Sequence, residues 1–195
     1  MNAKVTLKIF PKGQETTWEA ITDLLHEAFN EHLQKGISYA ACLQDVETTQ
    51  RRVGKDGICL VAYKNEDLIG TATIHEMCYK GLRYCYLSQF AVSSHHRGGK
   101  VGEKIFNEVV KIAKTKSVSY IYVDTPISAR NIINWYKRIG FEKIGLISGK
   151  KTGYYSVLLR YPIYRNKSIL SNLIFLLSAF RCLLLWKANG QSRFK

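Results

Sequence analysis

The run Arg97-Gly-Gly-Lys-Val-Gly102 contains the residues of this sequence that are best suited to binding a charged ligand. It follows the apolar stretch 86–92, which is typical of a strand, and it precedes an amphipathic helix pattern. Glycines allow close backbone approach, and the first turn of a helix leaves N–H groups unpartnered, which suits phosphate. Because Arg97 and Lys100 add positive charge, the run predicts a site for pyrophosphate or another multiply charged anion. The alternative is an ordinary solvated turn, since short glycine motifs also recur by chance.

The composition is that of a folded, strongly basic domain. The 195 residues are 46% hydrophobic and 12% aromatic, which favours a sizeable core and excludes a disordered chain. The net charge of +14 favours an anionic partner, and it is uneven, because residues 161–195 contain six Lys/Arg and no Asp/Glu. Nucleic acid is a rival partner that we do not expect, since the sequence lacks a dense basic stripe and a familiar nucleic-acid-binding module.

The cysteines and the N-terminus both indicate a cytoplasmic domain. The cysteines are odd in number, lack C-x-x-C spacing and lie mostly in apolar runs, as expected of core residues in a reducing compartment. The first ten residues alternate between apolar and polar, unlike the apolar centre of a signal peptide.

The hydrophobic pattern predicts a mixed α/β (α+β) fold. Helices are expected over 17–34, over 40–53, after the glycine run, and between a cap at Ser128 and Gly140. Strands are expected over 5–9, 58–63, 68–77, the second half of 78–92, 120–123, 141–147 and 154–161. Most strands are joined by short turns, so the sheet is predicted to be mixed, mostly antiparallel, and six- to seven-stranded, with flanking helices.

The chain is predicted to end in a separate segment, with a domain over 1–162 and a basic, apolar tail over 163–195. Residues 169–186 are almost entirely apolar and predict an extra C-terminal helix, although Arg181 makes a clean membrane span unfavourable. Basic residues on both sides favour an interfacial helix at the inner face of a membrane. The alternatives are packing on the domain and a homodimer formed through 165–187.

Three segments together resemble the GNAT superfamily of N-acetyltransferases. They are Leu87-Ser-Gln-Phe-Ala-Val92, Arg97-Gly-Gly-Lys-Val-Gly102 and Trp135-Tyr-Lys-Arg-Ile-Gly-Phe141. In that family a strand leads into an R/Q-x-x-G-x-G/A loop that holds the acetyl-CoA pyrophosphate, and a later helix ends in Y-x-x-x-G-F. The resemblance extends over about residues 4 to 161. It implies an enzyme with acetyl-CoA as co-substrate and without a metal.

The resemblance also implies roles for individual residues. Backbone N–H groups of the strand are expected at the thioester oxygen, and the phenol of Tyr136 is expected to protonate the departing thiolate. The alternative for Tyr136 is an ordinary core position. The residues implied in acetyl-CoA binding are Phe90, Ala91, Val92, Arg97, Gly98, Gly99, Lys100, Val101, Gly102 and Asn131.

Two positions depart from the family pattern in the acetyl-CoA site. Lys100 stands where glycine is usual, and an extra glycine precedes it at Gly99, so the loop is expected to shift its register by one residue. Ala129 stands where the family commonly has asparagine, and Asn131 is the nearest substitute.

The general base and the acceptor are left open. Many relatives carry a glutamate where this sequence has Gln89, which cannot accept a proton usefully. Residues that could contact the acceptor, or serve as base directly or through water, are Glu31, His32, His75, Glu76 and, for contact alone, Gln89. Adjacent His95 and His96 point apart on an extended segment and lack companion ligands, so no metal site is expected.

The function predicted from all of this is acetyl transfer from acetyl-CoA to a primary amine by direct attack. The acceptor is a small amine, an amino sugar or a protein amine. One alternative is a transferase of the same fold that uses another acyl-CoA. The other is a non-enzymatic module that attaches to a membrane or binds nucleic acid.

Overall fold

The order of helices and strands follows the sequence patterns closely. The computed structural model describes residues 4–10, 15–37, 39–79, 81–148 and 154–164. Its elements are β1 (Val5–Ile9), α1 (Glu15–Gln34), α2 (Val46–Val53), β2 (Ile58–Lys64), β3 (Asp67–Tyr79), β4 (Leu82–Val92), α3 (Val101–Thr115), β5 (Tyr120–Pro126), α4 (Arg130–Arg138), β6 (Glu142–Ser148) and β7 (Tyr155–Pro162). The predicted apolar helix of the tail lies outside the described residues.

Two predicted helices begin later than expected. The helix predicted over 40–53 is wrong in its first half, where the structure has a 3₁₀ turn at Ala40–Cys42. The α-helix starts only after Asp45, whose side chain accepts a hydrogen bond of 2.7 Å from the Thr48 N–H. The helix expected to be capped by Ser128 starts instead after Ala129, which caps it without a side-chain hydrogen bond.

The strands form one seven-stranded sheet in the order β1-β2-β3-β4-β5-β7-β6. Strands β1 and β2, β2 and β3, β5 and β7, and β6 and β7 pair antiparallel. The pairing of β4 with β5 is parallel, with Cys85 opposite Ile121. A parallel pair needs a crossover connection, and here α3 lies in it along the chain. The predicted mixed, mostly antiparallel sheet with flanking helices is therefore confirmed.

The described residues divide into two compact units. The first takes those up to His75 together with Leu87–Ile112, and the second takes Glu76–Tyr86 together with those from Ala113 onward. In the first unit, α1 buries the apolar face predicted for it. Trp18 packs edge-on against Phe10 with ring centroids 4.8 Å apart. The other members of this core are Ile21, Leu25, Ala28, Ala41, Val53, Cys59, Val61 and Ala91.

The second unit has an aromatic core. The rings of Tyr84 and Tyr122 are fully buried and meet edge-to-face at 5.4 Å. Arg160 lies over the ring of Tyr120 at 4.8 Å and donates a hydrogen bond of 2.9 Å to Glu142. Such a cation over a ring face contributes packing and electrostatic attraction together. Among the described helices, none is both long enough and apolar enough to cross a membrane.

Candidate active site

The glycine-rich loop turns sharply at two residues just before α3. Gly98 has φ = 78° and Lys100 has φ = 60°, both in the left-handed region, and α3 begins at Val101. The N–H of Lys104 donates to the Lys100 carbonyl at 2.9 Å, so Lys100 stands at the helix entrance. Gly99, toward which the loop was expected to shift, does not have a left-handed backbone. The turn thus presents the unpartnered N–H groups of the first turn of α3 beside two exposed glycines.

Replacing Lys100 with glycine is expected to stabilise the fold and weaken CoA binding at the same time. The left-handed backbone is unfavourable for lysine and free for glycine, so the free energy of unfolding should rise by about 0.5 kcal/mol. Loss of the ammonium group should raise the Kd for CoA several-fold at low salt. Thermal unfolding and calorimetric titration measure the two effects.

Two other variants serve as controls for this prediction. Ser117→Gly, in an exposed turn where Ser117 has φ = 53°, tests the relief of a left-handed backbone without loss of charge. Lys111→Ala removes a cation from the other end of α3, where it pairs with Glu108. Equal weakening of CoA binding by Lys100→Gly and Lys111→Ala would contradict a local role for Lys100.

Helix α1 is tied to the segment that leads into the loop. Ser94 donates its backbone N–H to Glu27 at 3.0 Å, and its hydroxyl bonds the same carboxylate. One turn further along α1, Arg97 pairs with Glu31 and donates to the carbonyl of Ala28. Burial would raise the pKa of the Glu27 carboxyl, but the hydrogen bonds from Ser94 outweigh it and lower that pKa. Arg97, although exposed, is therefore engaged by α1, and the exposed Lys100 is the other cation of the loop.

His32 lies buried in an aromatic cluster at the end of α1. Its ring is 5.1 Å from that of Tyr39 and 6.2 Å from that of Phe29, and its Nε2 is 3.5 Å from Glu31. Burial lowers the pKa of His32, although the Glu31 carboxylate opposes that shift. A neutral imidazole is thus favoured at this position. Glu31, His32 and Arg97, which the sequence assigned to acceptor and cofactor separately, lie together here.

Strand β4 contains an irregularity immediately before the predicted thioester-binding segment. Gln89 has φ = 47°, in the left-handed region, although it lies within the strand. Just beyond, the Ser93 N–H donates to the Ile69 carbonyl at 2.9 Å. A Cβ on Gly70 would lie 3.2 Å from the Ala91 carbonyl oxygen, so glycine permits the close approach of β3 to this segment. The predicted N–H donors of Phe90, Ala91 and Val92 thus follow a local break in the strand.

Gln89 itself points into a buried polar network. The Thr73 hydroxyl donates to its Oε1 at 2.9 Å, and its Nε2 donates to the Thr49 carbonyl at 3.4 Å. Only 6% of the residue is exposed. Its carboxamide is therefore occupied by protein groups on both sides.

His75 is held in its neutral form by its surroundings. Burial, reinforced by the Arg52 guanidinium, lowers the pKa of His75 to about 4. Its Cε1 also lies 3.2 Å from where a Cβ on Gly57 would be, so the ring fills space beside this glycine. With so low a pKa, His75 is too weak a base to deprotonate an ammonium group at neutral pH.

His75 is expected to make the fold sensitive to mild acid. The unfolded chain takes up this proton near pH 6.5, whereas the folded chain resists it until about pH 4. Stability is therefore complete above pH 6.5 and falls with decreasing pH, by about 3 kcal/mol at pH 4. Urea unfolding of the wild type and of His75→Gln at several pH values isolates the contribution of His75 to the pH dependence of stability. An unchanged pH dependence in the variant would contradict the prediction.

Glu76, in the second unit, is engaged by two cations. Arg83 hydrogen-bonds it through Nε at 2.9 Å and through Nη2, and the Nζ of Lys116 lies 3.6 Å away. The hydrogen bonds from Arg83 lower the pKa of the Glu76 carboxyl, with smaller help from Lys116. A carboxylate held in this way accepts a proton poorly at neutral pH.

The side chain of Tyr136 packs among aromatic rings at the end of α4. It is 4% exposed, and its ring meets those of Trp135 at 5.2 Å and Phe141 at 5.0 Å. The Phe141 N–H donates to the Tyr136 carbonyl at 3.0 Å, which closes the helix. Gly140, with φ = 105°, allows that turn. Asn131 lies on the exposed side of the same helix.

Some contributors to these sites were missed by sequence reasoning. Glu27 lies one helical turn before Glu31, and this i, i+4 spacing of carboxylates could have revealed it. Thr49 and Thr73 had no sequence signal, because only the packing of α2 and β3 around Gln89 makes them partners. Within the part of the chain that the structure describes, no group of three or more His, Cys, Asp or Glu side chains could hold a metal ion.

Solved acetyltransferases share this fold at low sequence identity. The ribosomal-protein-S18-alanine N-acetyltransferase from Escherichia coli has a TM-score of 0.64 at 13% identity, covering 85% of this chain and 98% of that one. The aminoglycoside 6'-N-acetyltransferase from Enterococcus faecium has a TM-score of 0.62 at 13% identity, with 84% and 99% covered. An aminoglycoside 6'-N-acetyltransferase solved with coenzyme A gives the same four values. At these identities the likeness establishes the fold alone.

A family relationship is visible in the sequence as well. No curated protein matches the sequence significantly. The family model for the acetyltransferase (GNAT) family, however, matches residues 18–141, which is more than half of the chain. The matched range includes the glycine-rich loop, β4 and the Tyr136 helix, and it confirms the family, the enzyme class and the co-substrate predicted from the three segments. The chain therefore belongs to the acetyltransferase (GNAT) family and is an acetyl-CoA-dependent N-acetyltransferase.

Proposed function

We propose that this enzyme transfers the acetyl group to the primary amine of a small molecule, an amino sugar or a protein by direct attack on acetyl-CoA. The observation that carries the proposal is the left-handed turn at Gly98 and Lys100, which leads straight into the first turn of α3. This turn supports the proposal, because backbone donors at a helix N-terminus and an exposed ammonium group suit a pyrophosphate.

The residues of the loop fit the pyrophosphate of acetyl-CoA. A Cβ built on Gly98 would have no atom within 4 Å, so the space beside it is open to a ligand. The N–H groups at the start of α3 lack intrahelical partners and would bond the phosphate oxygens. Arg97 supports the loop through Glu31 and Ala28, and Asn131 remains a predicted CoA contact.

The reaction forms an amide bond and breaks the thioester. The nitrogen of a neutral amine attacks the carbonyl carbon, and the carbonyl oxygen becomes an oxyanion. N–H groups of Phe90, Ala91 and Val92 are proposed to stabilise that oxyanion, a contribution worth about 3 kcal/mol per donor. When the intermediate collapses, the sulfur leaves with the bonding pair and takes a proton, for which Tyr136 is the proposed donor.

Direct attack by an amine that is already neutral is supported by the state of the candidate bases. The pKa values of His32 and His75 are lowered by burial, and that of Glu76 is lowered by Arg83. Glu31 is paired with Arg97. None of these four carries the features of a base tuned to neutral pH, so solvent is the proposed acceptor of the amine proton.

The proposed acceptor class is supported by the fold that the chain shares with its structural neighbours. The neighbours' names place their acceptors among aminoglycosides and an alanine of a ribosomal protein. For this chain we propose Glu31, His32, His75, Glu76 and Gln89 as the residues nearest the acceptor. Glu31 and Glu76 are already paired with Arg97 and Arg83, so they do not by themselves select a cationic acceptor.

The decisive experiment combines CoA binding with an acceptor panel. Calorimetric titration with CoA should show binding at physiological salt, and thiol release from acetyl-CoA should identify which amines are acetylated. Faster release from a longer acyl-CoA would favour the alternative donor. Absence of CoA binding would overturn the enzymatic proposal and favour a non-enzymatic module that attaches to a membrane or binds nucleic acid.

The tail is proposed to hold the enzyme at the inner face of the cytoplasmic membrane. The support is its sequence, an apolar stretch flanked by basic residues within 165–195. Deletion of residues 165–195 is expected to shift the protein from the membrane fraction to the supernatant without loss of acetyl transfer. An intact chain that is wholly soluble and monomeric would contradict this proposal. A soluble dimer would favour instead the homodimer formed through 165–187.

A further inference from the structure

Among the described residues outside glycine, four have a left-handed backbone: Asn65, Gln89, Lys100 and Ser117. Three of these lie in turns, where such a conformation is common. Gln89 lies inside β4. A strained backbone within a strand persists only where its surroundings hold it in place, and such strain concentrates at functional sites.

The surroundings that hold Gln89 are hydrogen bonds to its side chain. Oε1 accepts from the Thr73 hydroxyl of β3, and Nε2 donates to the Thr49 carbonyl of α2. A carboxamide satisfies both partners because it has a donor end and an acceptor end. A glutamate at this position would turn a carboxylate oxygen toward the Thr49 carbonyl, and the two acceptors would repel each other.

Thr49 belongs to a larger network of buried hydrogen bonds. Thr49 is fully buried, and its hydroxyl lies 2.9 Å from that of Thr22 and 2.7 Å from the Gln44 amide. Gln44 in turn accepts from Arg52 at 2.8 Å. A polar network satisfied in this way is rigid, because each member has one favourable geometry. Gln89 contacts Thr49 through the backbone carbonyl, whereas Thr22 contacts the side-chain hydroxyl of the same residue.

We propose that Gln89 is a positioning residue, whose carboxamide, clamped between Thr73 and Thr49, fixes the break in β4 and so aims the N–H groups of Phe90 to Val92. This inference rests on the proposed function, in which those N–H groups stabilise the oxyanion. It gives the glutamine a role that does not require proton transfer. It also explains why a strand adopts an unfavourable backbone angle one residue before its proposed catalytic donors.

Variants of Thr73 and Gln89 that lack the hydrogen bonds of the clamp test this proposal. Thr73→Val deletes the hydroxyl that bonds Gln89, and Gln89→Met deletes both hydrogen bonds at similar volume. Each should lower kcat about ten-fold while the KM for acetyl-CoA changes less than two-fold, because misaimed oxyanion donors affect the transition state above all. Thr73→Ser, which keeps the hydroxyl, should restore kcat.

Thr22→Val is the matched control, because it deletes a buried hydroxyl of the same network that does not contact Gln89. It should leave kcat unchanged. If Thr22→Val lowers kcat as much as Thr73→Val does, the effect is general loss of packing and the proposal fails. Unchanged kcat in Gln89→Met would also overturn it.

Backbone amide exchange provides a readout that does not need activity. In Thr73→Val the amide of Ser93, which follows residues 90–92 and donates to the Ile69 carbonyl, should exchange at least several-fold faster than in the wild type, and in Thr22→Val it should not. Unaltered exchange in Thr73→Val would overturn the clamp. If the wild type acetylates none of the amines tested, the proposed function fails while the exchange result still decides the role of Gln89.

Discussion

Replacing Tyr136 with phenylalanine is expected to lower kcat about 100-fold, the lower end of the range for loss of a well-placed general acid. The phenol, near pKa 10 in free tyrosine, is protonated at neutral pH and can donate to the departing thiolate. Without that donor the sulfur must leave as an unprotonated thiolate or take its proton from water. Steady-state kinetics with the best amine found in the panel measures the effect.

Phenylalanine keeps the ring contacts of Tyr136 with Trp135 and Phe141, so folding should be nearly unaffected. The KM for acetyl-CoA should also stay within about two-fold, since the interaction lost is made mainly in the transition state. Tyr161→Phe is a matched control, because Tyr161 contacts the same Phe141 ring at 5.4 Å. It should leave kcat unaltered. Undiminished turnover in Tyr136→Phe would assign Tyr136 to the core alone.

Replacing Gly57 with alanine is expected to destabilise the fold by about 3 kcal/mol, the upper part of the range for overpacking. An added Cβ would lie 2.0 Å from the Val53 carbonyl oxygen and 3.2 Å from Cε1 of His75. The first contact is with backbone, so relief requires the end of α2 to move. Thermal unfolding should show a fall in Tm of about 10 °C.

Gly36→Ala separates this clash from the effect of backbone conformation. Gly36 has φ = 74°, and a Cβ there would have no atom within 4 Å. Alanine at this position should cost only about 1 kcal/mol, through the left-handed angle alone. If both variants lose the same stability, the steric account of Gly57 is wrong.

The local elements were predictable because short-range patterns specify them. The face of α1 that contains Trp18 and Leu25, the turn between β2 and β3, and the helix after the glycine run all follow from periodicity and turn residues. The helix over 40–53 was misjudged because Asp45 caps a later start. The family resemblance of the three segments was equally a property of the sequence, and it identified acetyl-CoA.

Residue roles depended on long-range packing that no local pattern contains. The sequence marked Arg97 as a phosphate ligand, yet α1 supplies Glu31 and Ala28 to its guanidinium. It marked Gln89 as an acceptor contact that cannot act as a base, whereas Thr73 and Thr49 hydrogen-bond its amide. These partners are separated by many residues, and only the tertiary structure brings them within hydrogen-bonding distance.

The glycine-rich loop shows both contributions in one place. Its residue types alone predicted a phosphate-binding turn before a helix, because glycines permit close backbone approach and cationic side chains attract anions. The backbone angles decided which residues make the turn, and they chose Gly98 and Lys100. Sequence determines what chemistry a segment can perform, because that depends on residue type. Tertiary structure decides which atoms are available for it, because availability depends on what packs against them.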